Sequence, residues 1–210
     1  GTLVYLPGDG VEEDRFQLEW VDREGNTTPL PIDPDNYNGL NLSPDGDFLA
    51  YNIRDGGQSD ISTYHIERHY IDPQTREPGL SFLPLWSPSG ESIVFSHIPV
   101  ETQETALYWK AIGIGGKPQR VTEGTLEQVA SSWHPNGRGL IVTERGESGR
   151  NVRILELEGN ETEGWKAKGE GATFRPTEQD ERDGTLSPDG NWVAMSVGRG
   201  RNSQIYVFPY

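Results

Sequence analysis

The chain has 210 residues, a formal net charge of −15 and no cysteine, which rules out disulfides, thiolate catalysis and cysteine zinc sites. So acidic a surface repels the phosphates of nucleic acids and anionic lipids. A hydrophobic fraction of 32%, with 26 glycines and 15 prolines, suits many tight turns and small shared interfaces better than one deep core. No apolar run approaches the ~20 residues of a membrane helix.

One turn is written four times: Ser43-Pro44-Asp45-Gly46, Ser87-Pro88-Ser89-Gly90, His134-Pro135-Asn136-Gly137 and Ser187-Pro188-Asp189-Gly190. Proline at the second position presets φ near about −65°, and glycine closes a type I turn. Each copy runs at once into an apolar segment. The spacings of 44, 47 and 53 residues, filled with short strands, are the signature of a β-propeller.

In chain order, the first blade unit (residues 1–36) opens on Gly1 to Tyr5, read as a second strand whose first strand is missing, and continues with Leu18 to Val21 and a turn at Arg23 to Asn26. The second (37–80) has strands at Leu40–Leu42 and Phe48–Tyr51. Its third segment, Ile61 to His65, lacks the expected bulky aromatic after Ile61, and 69–80 is a poor fourth strand. The third (81–125) has Leu83–Trp86, Ile93–Phe95 and Leu107–Lys110, with a hairpin turn at Gly115-Gly116-Lys117. The fourth (126–175) has Ala130–Trp133, Leu140–Val142 and Val152–Leu157. The fifth (176–210) has Gly184–Leu186, Trp192–Met195 and Ile205–Phe208. No segment reads as an amphipathic helix. Three full blades between two three-stranded ones make 18 strands, whereas six four-stranded blades need 24, so the expectation is an all-β, single-domain piece of a six-bladed ring. Gly1 in place of Met implies an upstream segment. Open blade edges are templates for self-association. The six tryptophans are expected between blades.

Several chemical motifs can be weighed. His65, Glu67 and His69 would share one face of a strand, but the two histidines would then lie roughly 13 Å apart at ~3.3 Å per residue, too far to share one zinc. Residues 33–39 resemble a calcium loop but break its spacing, with Tyr37 at the fifth position and Gly39 one residue late. Gly113 to Lys117 lacks the helix of a phosphate loop. His134 replaces serine in its turn and is read as a cap. No nucleophile elbow or triad can be assembled, so no catalytic residue, metal or cofactor is assigned.

What survives is a surface. In a propeller the second-to-third strand connections (8–15, 54–59, 99–105, 145–150, 198–202) and the blade-to-blade connections (33–38, 79–82, 122–127, 177–183) share the mouth of the central channel. These segments hold 16 acidic and 7 basic side chains, a net −9. Loops on a rigid scaffold concentrate binding residues, and a face of one sign attracts cationic partners. The candidate binding residues are Arg54, Asp55, His97, Arg145, Arg182, Asp183 and Arg199. Arg54, Arg145, Arg182 and Arg199 interrupt the acid and suit a carboxylate, or pair with acidic neighbours.

Four stretches, in order, carry a family resemblance: Gly1-Thr2-Leu3-Val4-Tyr5-Leu6-Pro7-Gly8, Trp20-Val21-Asp22-Arg23-Glu24-Gly25, Glu181-Arg182-Asp183-Gly184 running into Leu186-Ser187-Pro188-Asp189-Gly190, and Gln204-Ile205-Tyr206-Val207-Phe208-Pro209-Tyr210. They resemble the TolB-like, WD-repeat-like bacterial propellers, above all the propeller at the C-terminal end of certain bacterial serine/threonine protein kinases. The resemblance implies a non-catalytic module outside the membrane that senses or binds a protein or peptide. Kinase motifs are missing, so kinase activity does not carry over. Tricorn-type and prolyl-oligopeptidase-type peptidases carry similar repeats, which leaves a gating propeller as one alternative and a structural assembly module as another.

Overall fold

A computed structural model describes residues 3–5, 15–113, 115–124, 126–146 and 149–210, without the side chains of 3–5 and Arg201. Five small antiparallel blades follow one another along the chain, the second and third joined by one parallel bridge between Ser59 and Leu80. Blade one is β1 (Leu3–Tyr5), β2 (Glu19–Val21) and β3 (Thr27–Pro29). Blade two is β4 (Tyr37–Leu42), β5 (Phe48–Asp55), β6 (Gln58–His65) and β7 (Tyr70–Pro73). Blade three is β8 (Gly79–Trp86), β9 (Ser92–Pro99), β10 (Ala106–Ala111) and β11 (Gln119–Arg120). Blade four has β12 (Glu127–Trp133), β13 (Gly139–Gly146) and the long β14 (Gly149–Asn160). Its outer position is shared by β15 (Gly164–Ala167), on the far end of β14, and β16 (Ala172–Thr173), beside Arg153 and Ile154. Blade five is β17 (Glu181–Leu186), β18 (Trp192–Val197) and β19 (Gln204–Pro209). Among the described residues, no strand of blade five pairs with blade one.

The repeated turns form as their chemistry requires. Gly46, Gly90, Gly137 and Gly190 donate their N–H to the carbonyls of Ser43, Ser87, His134 and Ser187 at 2.8–3.0 Å. Their φ values of 70–83° explain why glycine closes each copy. Ser43 Oγ donates to Asp45 and accepts the N–H of Phe48. The same pattern recurs from Ser187 to Asp189 and Trp192. His134 caps its turn through Nδ1, which accepts the Asn136 N–H at 3.2 Å. The turn carboxylates are thereby held below the usual range, Asp189 down to about 2, chiefly by the Ser187 hydroxyl.

Burial confirms the absence of one deep core. Four apolar clusters sit one at each blade–blade interface: Leu18, Leu30, Tyr37 and Tyr51 between blades one and two; Ile61, Trp86 and Phe95 between two and three; Trp109, Trp133 and Trp165 between three and four; Val152, Val193 and Met195 between four and five. Trp192 departs from expectation at 48% exposed. Val193, Met195 and Val197 alternate inward against blade four, so Trp192 takes the opposite face of β18, where no described blade follows.

Two devices absent from the sequence reading tie the blades together. Each innermost strand after the first blade slips register before its turn: between Asn38 and Asn41, Phe82 and Leu85, Ala130 and Ser132, Arg182 and Thr185. Three of these bulges place a left-handed residue four positions before the turn, Gly39 at φ 60°, Leu83 at 53° and Asp183 at 55°. Nine residues into each repeat, a polar side chain reaches the next innermost strand. Asn52 Oδ1 accepts the Leu83 N–H at 3.2 Å, Ser96 Oγ donates to the Gln128 carbonyl at 2.7 Å, and Thr143 Oγ1 accepts the Asp183 N–H at 3.1 Å.

The irregularity expected in blade two takes a definite form. β6 stops at His65 and a turn follows, closed by the His69 N–H on the His65 carbonyl at 2.9 Å. His65, Glu67 and His69 therefore do not alternate along a strand. His65 Nδ1 accepts the Arg68 N–H, and His69 Nδ1 pairs with the Tyr64 hydroxyl at 2.8 Å. The four-residue β7 gives way to Gln74 and Thr75, whose N–H groups both turn to the Ile61 carbonyl. Asp33 to Asn36 connect β3 to β4, and the Tyr37 hydroxyl donates to the Asp33 carbonyl. After β10, Lys110 Nζ donates to the Gly116 carbonyl on the way to β11.

Candidate functional site

The mouth loops are shorter than the sequence suggests. β5 and β6 run on until only Gly56 and Gly57 separate them, and β13 and β14 until only residues 147 and 148 do. Likewise Tyr37, Gly79, Glu127 and Glu181 already belong to innermost strands. Arg54, Asp55 and Arg145 thus project from strand ends, which fixes them better than free loops would. Of the segment 8–15, only Arg15 lies within the described residues.

Three hollows collect five of the seven candidates, all but Asp55 and Asp183, each joining second-to-third strand ends to the start of an innermost strand. That is the mouth geometry the repeats imply. The first, about 330 Å³, lies between blades four and five and is lined by Arg145, Gly146, Gly149, Arg150, Asp180, Arg182 and Arg199. It brings together three of the four predicted arginines. At its floor Asp180, 6% exposed, accepts hydrogen bonds from Arg199 Nη2 at 3.2 Å, Arg182 Nη2 at 3.4 Å and the Arg150 N–H at 3.1 Å, with Arg199 Nε 3.1 Å away as an ion-pair contact. The backbone bond from Arg150, then the Arg199 and Arg182 guanidiniums, hold this carboxyl below its ordinary 3.8. Glu127 bridges Arg145 at 3.4 Å and Arg150 at 3.8 Å.

The second hollow, about 350 Å³, occupies the same place between blades two and three: Asn38, Asn52, Arg54, Ser59, Leu80, Phe82, Leu83 and Ile98. The third, about 250 Å³, holds His97 with Glu77, Ser81, Phe95, Glu101 and Tyr108. His97 is 5% exposed, bonds Ser81 Oγ through Nδ1 at 2.9 Å, and packs edge-on against Tyr108. Burial pushes its pKa down despite Glu77, Asp60 and Glu101 nearby. No carboxylate bonds to its ring, so it is a core-facing histidine.

Asp183 sits in the blade-five bulge with its N–H on Thr143 and does not line the arginine hollow. Asp180, Arg150 and Glu127 are the residues that sequence reasoning missed. Counting from the repeated turn would have found one of them: Arg54 and Arg145 each stand eleven residues past the first residue of their turn, and each pairs with a third-strand residue, Ser59 or Arg150. Elsewhere on blade four, Arg153 and Glu144 form a largely buried ion pair at 2.7 Å, with Gln128 donating to Glu144. Among the described residues, no three His, Asp or Glu side chains are placed to hold a metal ion.

No family model matches the sequence. TolB from Acinetobacter baumannii superimposes with a TM-score of 0.73 at 16% identity, over 99% of this chain and 49% of that one. A puromycin-hydrolyzing peptidase of Mycobacterium tuberculosis gives a TM-score of 0.64 at 20% identity, over 99% of this chain and 35% of that one. A prolyl endopeptidase gives 0.60 at 14% identity, over 93% and 31%. The chain thus spans about half the length of the TolB it matches. Five consecutive antiparallel blades and these likenesses establish a TolB-like β-propeller fold, partial in extent.

Proposed function

We propose that this chain is a non-catalytic binding module that takes a protein or peptide segment at the mouth end of its blades, as part of a larger protein. The observation that carries this reading is the segregation of the two strand ends. At the turn end, serine, aspartate and histidine side chains are spent on their own turns. At the mouth end, three hollows open beside charged side chains, among them Arg54, Arg145 and Arg182 mounted on strands. A partner with basic character fits the excess acid of this end, including Glu77 and Glu101 around the His97 hollow. An extracytoplasmic location and a role as the sensor part of a receptor-type kinase fit the resemblance of the four sequence stretches.

The test is titration with a basic, C-terminally amidated peptide at about 20 and 200 mM salt. Binding that weakens at least severalfold with salt is expected. No binding, or binding indifferent to salt, overturns the reading. The second reading, a gating propeller beside a hydrolase domain, is favoured by the likeness to the two peptidases. A hydrolase nucleophile elbow encoded next to this segment would select it.

A further inference from the structure

We infer that the hollow between blades four and five is a carboxylate-binding site, an inference that rests on the binding reading above and names the chemistry of one of its contacts. Four guanidiniums, Arg145, Arg150, Arg182 and Arg199, meet there in a chain whose net charge is −15. They face two carboxylates, Asp180 and Glu127. Glu181, the next acid along β17, is withdrawn: it is fully buried, and its oxygens accept the N–H groups of Thr177 and Val152. Glu147 lies outside the described residues. The described guanidiniums therefore outnumber their acidic partners two to one, in a cavity of about 330 Å³.

The donors are also unspent. Each guanidinium offers five N–H groups in a rigid fork. Arg145 spends one on Glu127, and its side chain remains 60% exposed. Arg199 grips Asp180 with Nε and Nη2 while its side chain stays 71% exposed. Arg182 Nε is buried and has no hydrogen-bond partner among the described residues, a debt that an incoming acceptor would settle. Asp180 sets the geometry. It is anchored by the Arg150 backbone N–H and holds Arg199 and Arg182 together on one carboxylate. Asp180 already shows a carboxylate against this guanidinium: Oδ1 accepts a hydrogen bond from Arg199 Nη2, and Oδ2 lies 3.1 Å from Nε. Gly149 keeps the wall low, since a Cβ there would fall 2.4 Å from Asp180 Oδ1.

A carboxylate can come from a chain terminus or from an acidic side chain, and the probes separate the two. Acetyl-Gly-Gly-Ala with a free carboxylate, its amide, acetyl-Ala-Glu-Ala amide and inorganic phosphate are titrated against the whole chain, and the arginine Nε–H resonances are followed. Saturable shifts of Arg182 and Arg199 with a carboxylate probe, and none with the plain amide, are expected. A response to the free acid alone assigns a terminus, and a response to the glutamyl peptide alone assigns a side chain; either supports the site. Arg145→Ala with Arg199→Ala, both exposed positions, should weaken carboxylate binding at least tenfold. Arg138→Ala, which removes the same charge at the opposite end of β13, should leave it unchanged. Unsaturable shifts, equal affinity in the double variant, or phosphate binding as tightly as carboxylate would overturn the assignment. If the basic amidated peptide still binds while every carboxylate probe fails, this site falls and the binding module stands. Loss of both sinks both.

Discussion

The hollow between blades two and three and the hollow between blades four and five are built on one plan and lined with different chemistry. Leu80 and Phe82 stand seven and five residues before Ser87; Asp180 and Arg182 stand seven and five before Ser187. Arg54 pairs with Ser59 where Arg145 pairs with Arg150. In both places a polar side chain of the earlier blade holds the N–H of the left-handed residue in the bulge. The backbone and its clasp belong to the scaffold, whereas the side chains at the ends of the innermost strand decide whether a hollow is greasy or charged. A repeat fold can thus vary its recognition blade by blade without disturbing how the blades join.

The shared scaffold can be broken at Gly39. Its φ of 60° suits glycine, and a Cβ there would lie 2.8 Å from Asn52 Oδ1 and 3.0 Å from Leu83 Cα. Gly39→Val should cost about 3 kcal/mol or more, because backbone strain and collision add. Chemical denaturation measures it, and a loss under about 1 kcal/mol would show that the bulge is not a fixed part of the interface. The clasps come next. Asn52→Leu strands the Leu83 N–H beside an almost fully buried position, an expected loss of about 1–3 kcal/mol. Thr143→Val removes the matching acceptor from the Asp183 N–H and should cost a similar amount, since Asn52 and Thr143 are both buried while Leu83 and Asp183 are both exposed. Clearly unequal costs would show that the two clasps are not equivalent parts of one scaffold.

The smallest effect is in acid. Asp180 and the turn residue Asp189 both have pKa values below their ordinary 3.8, Asp189 near 2. Their contribution to stability is complete above about pH 3.8 and is lost as pH falls through the lowered values. Carboxyl resonances followed by NMR from pH 5 to 1.5 should place the Asp189 midpoint near 2. The Asp180 midpoint should also lie under 3.8 and rise towards it in Arg199→Ala, whereas Asp189 should not respond. A common shift of both would mean that Arg199 acts through the general field and not through its contact.

Much of this fold could be read from residues alone because its punctuation is local. A proline and a glycine three positions apart dictate a turn whatever surrounds them, and the apolar run after each turn has to be buried on both sides. Strand ends were harder. Arg54 to Ser59 looks like loop because it is polar and contains Gly56-Gly57, yet the ladder continues to the hairpin itself, since backbone pairing is indifferent to polar side chains. The bulges left no sequence mark except Gly39, because Leu83 and Asp183 adopt the left-handed region under constraint from neighbouring blades. For the site, the arginines could be named as candidates, but nothing in their spacing said that Arg145, Arg182 and Arg199 would meet. That depends on Asp180, whose role exists only once blades four and five are side by side.

The division of apolar burial into four separate clusters governs cooperativity. Each cluster couples only two adjacent blades, and they differ in size: eleven buried side chains join blades three and four, five join blades two and three. A chain held together in this way has no single all-or-none transition imposed on it; its sheets can detach in sequence, like links parting at the thinnest weld. Amide exchange should be slowest in β9, β13 and β14, beside the large cluster, and fastest in β19, whose Ile205 and Val207 are 71% and 60% exposed. The two hollows would then part company in the time domain as well: each opens at the rate at which its own pair of blades comes apart.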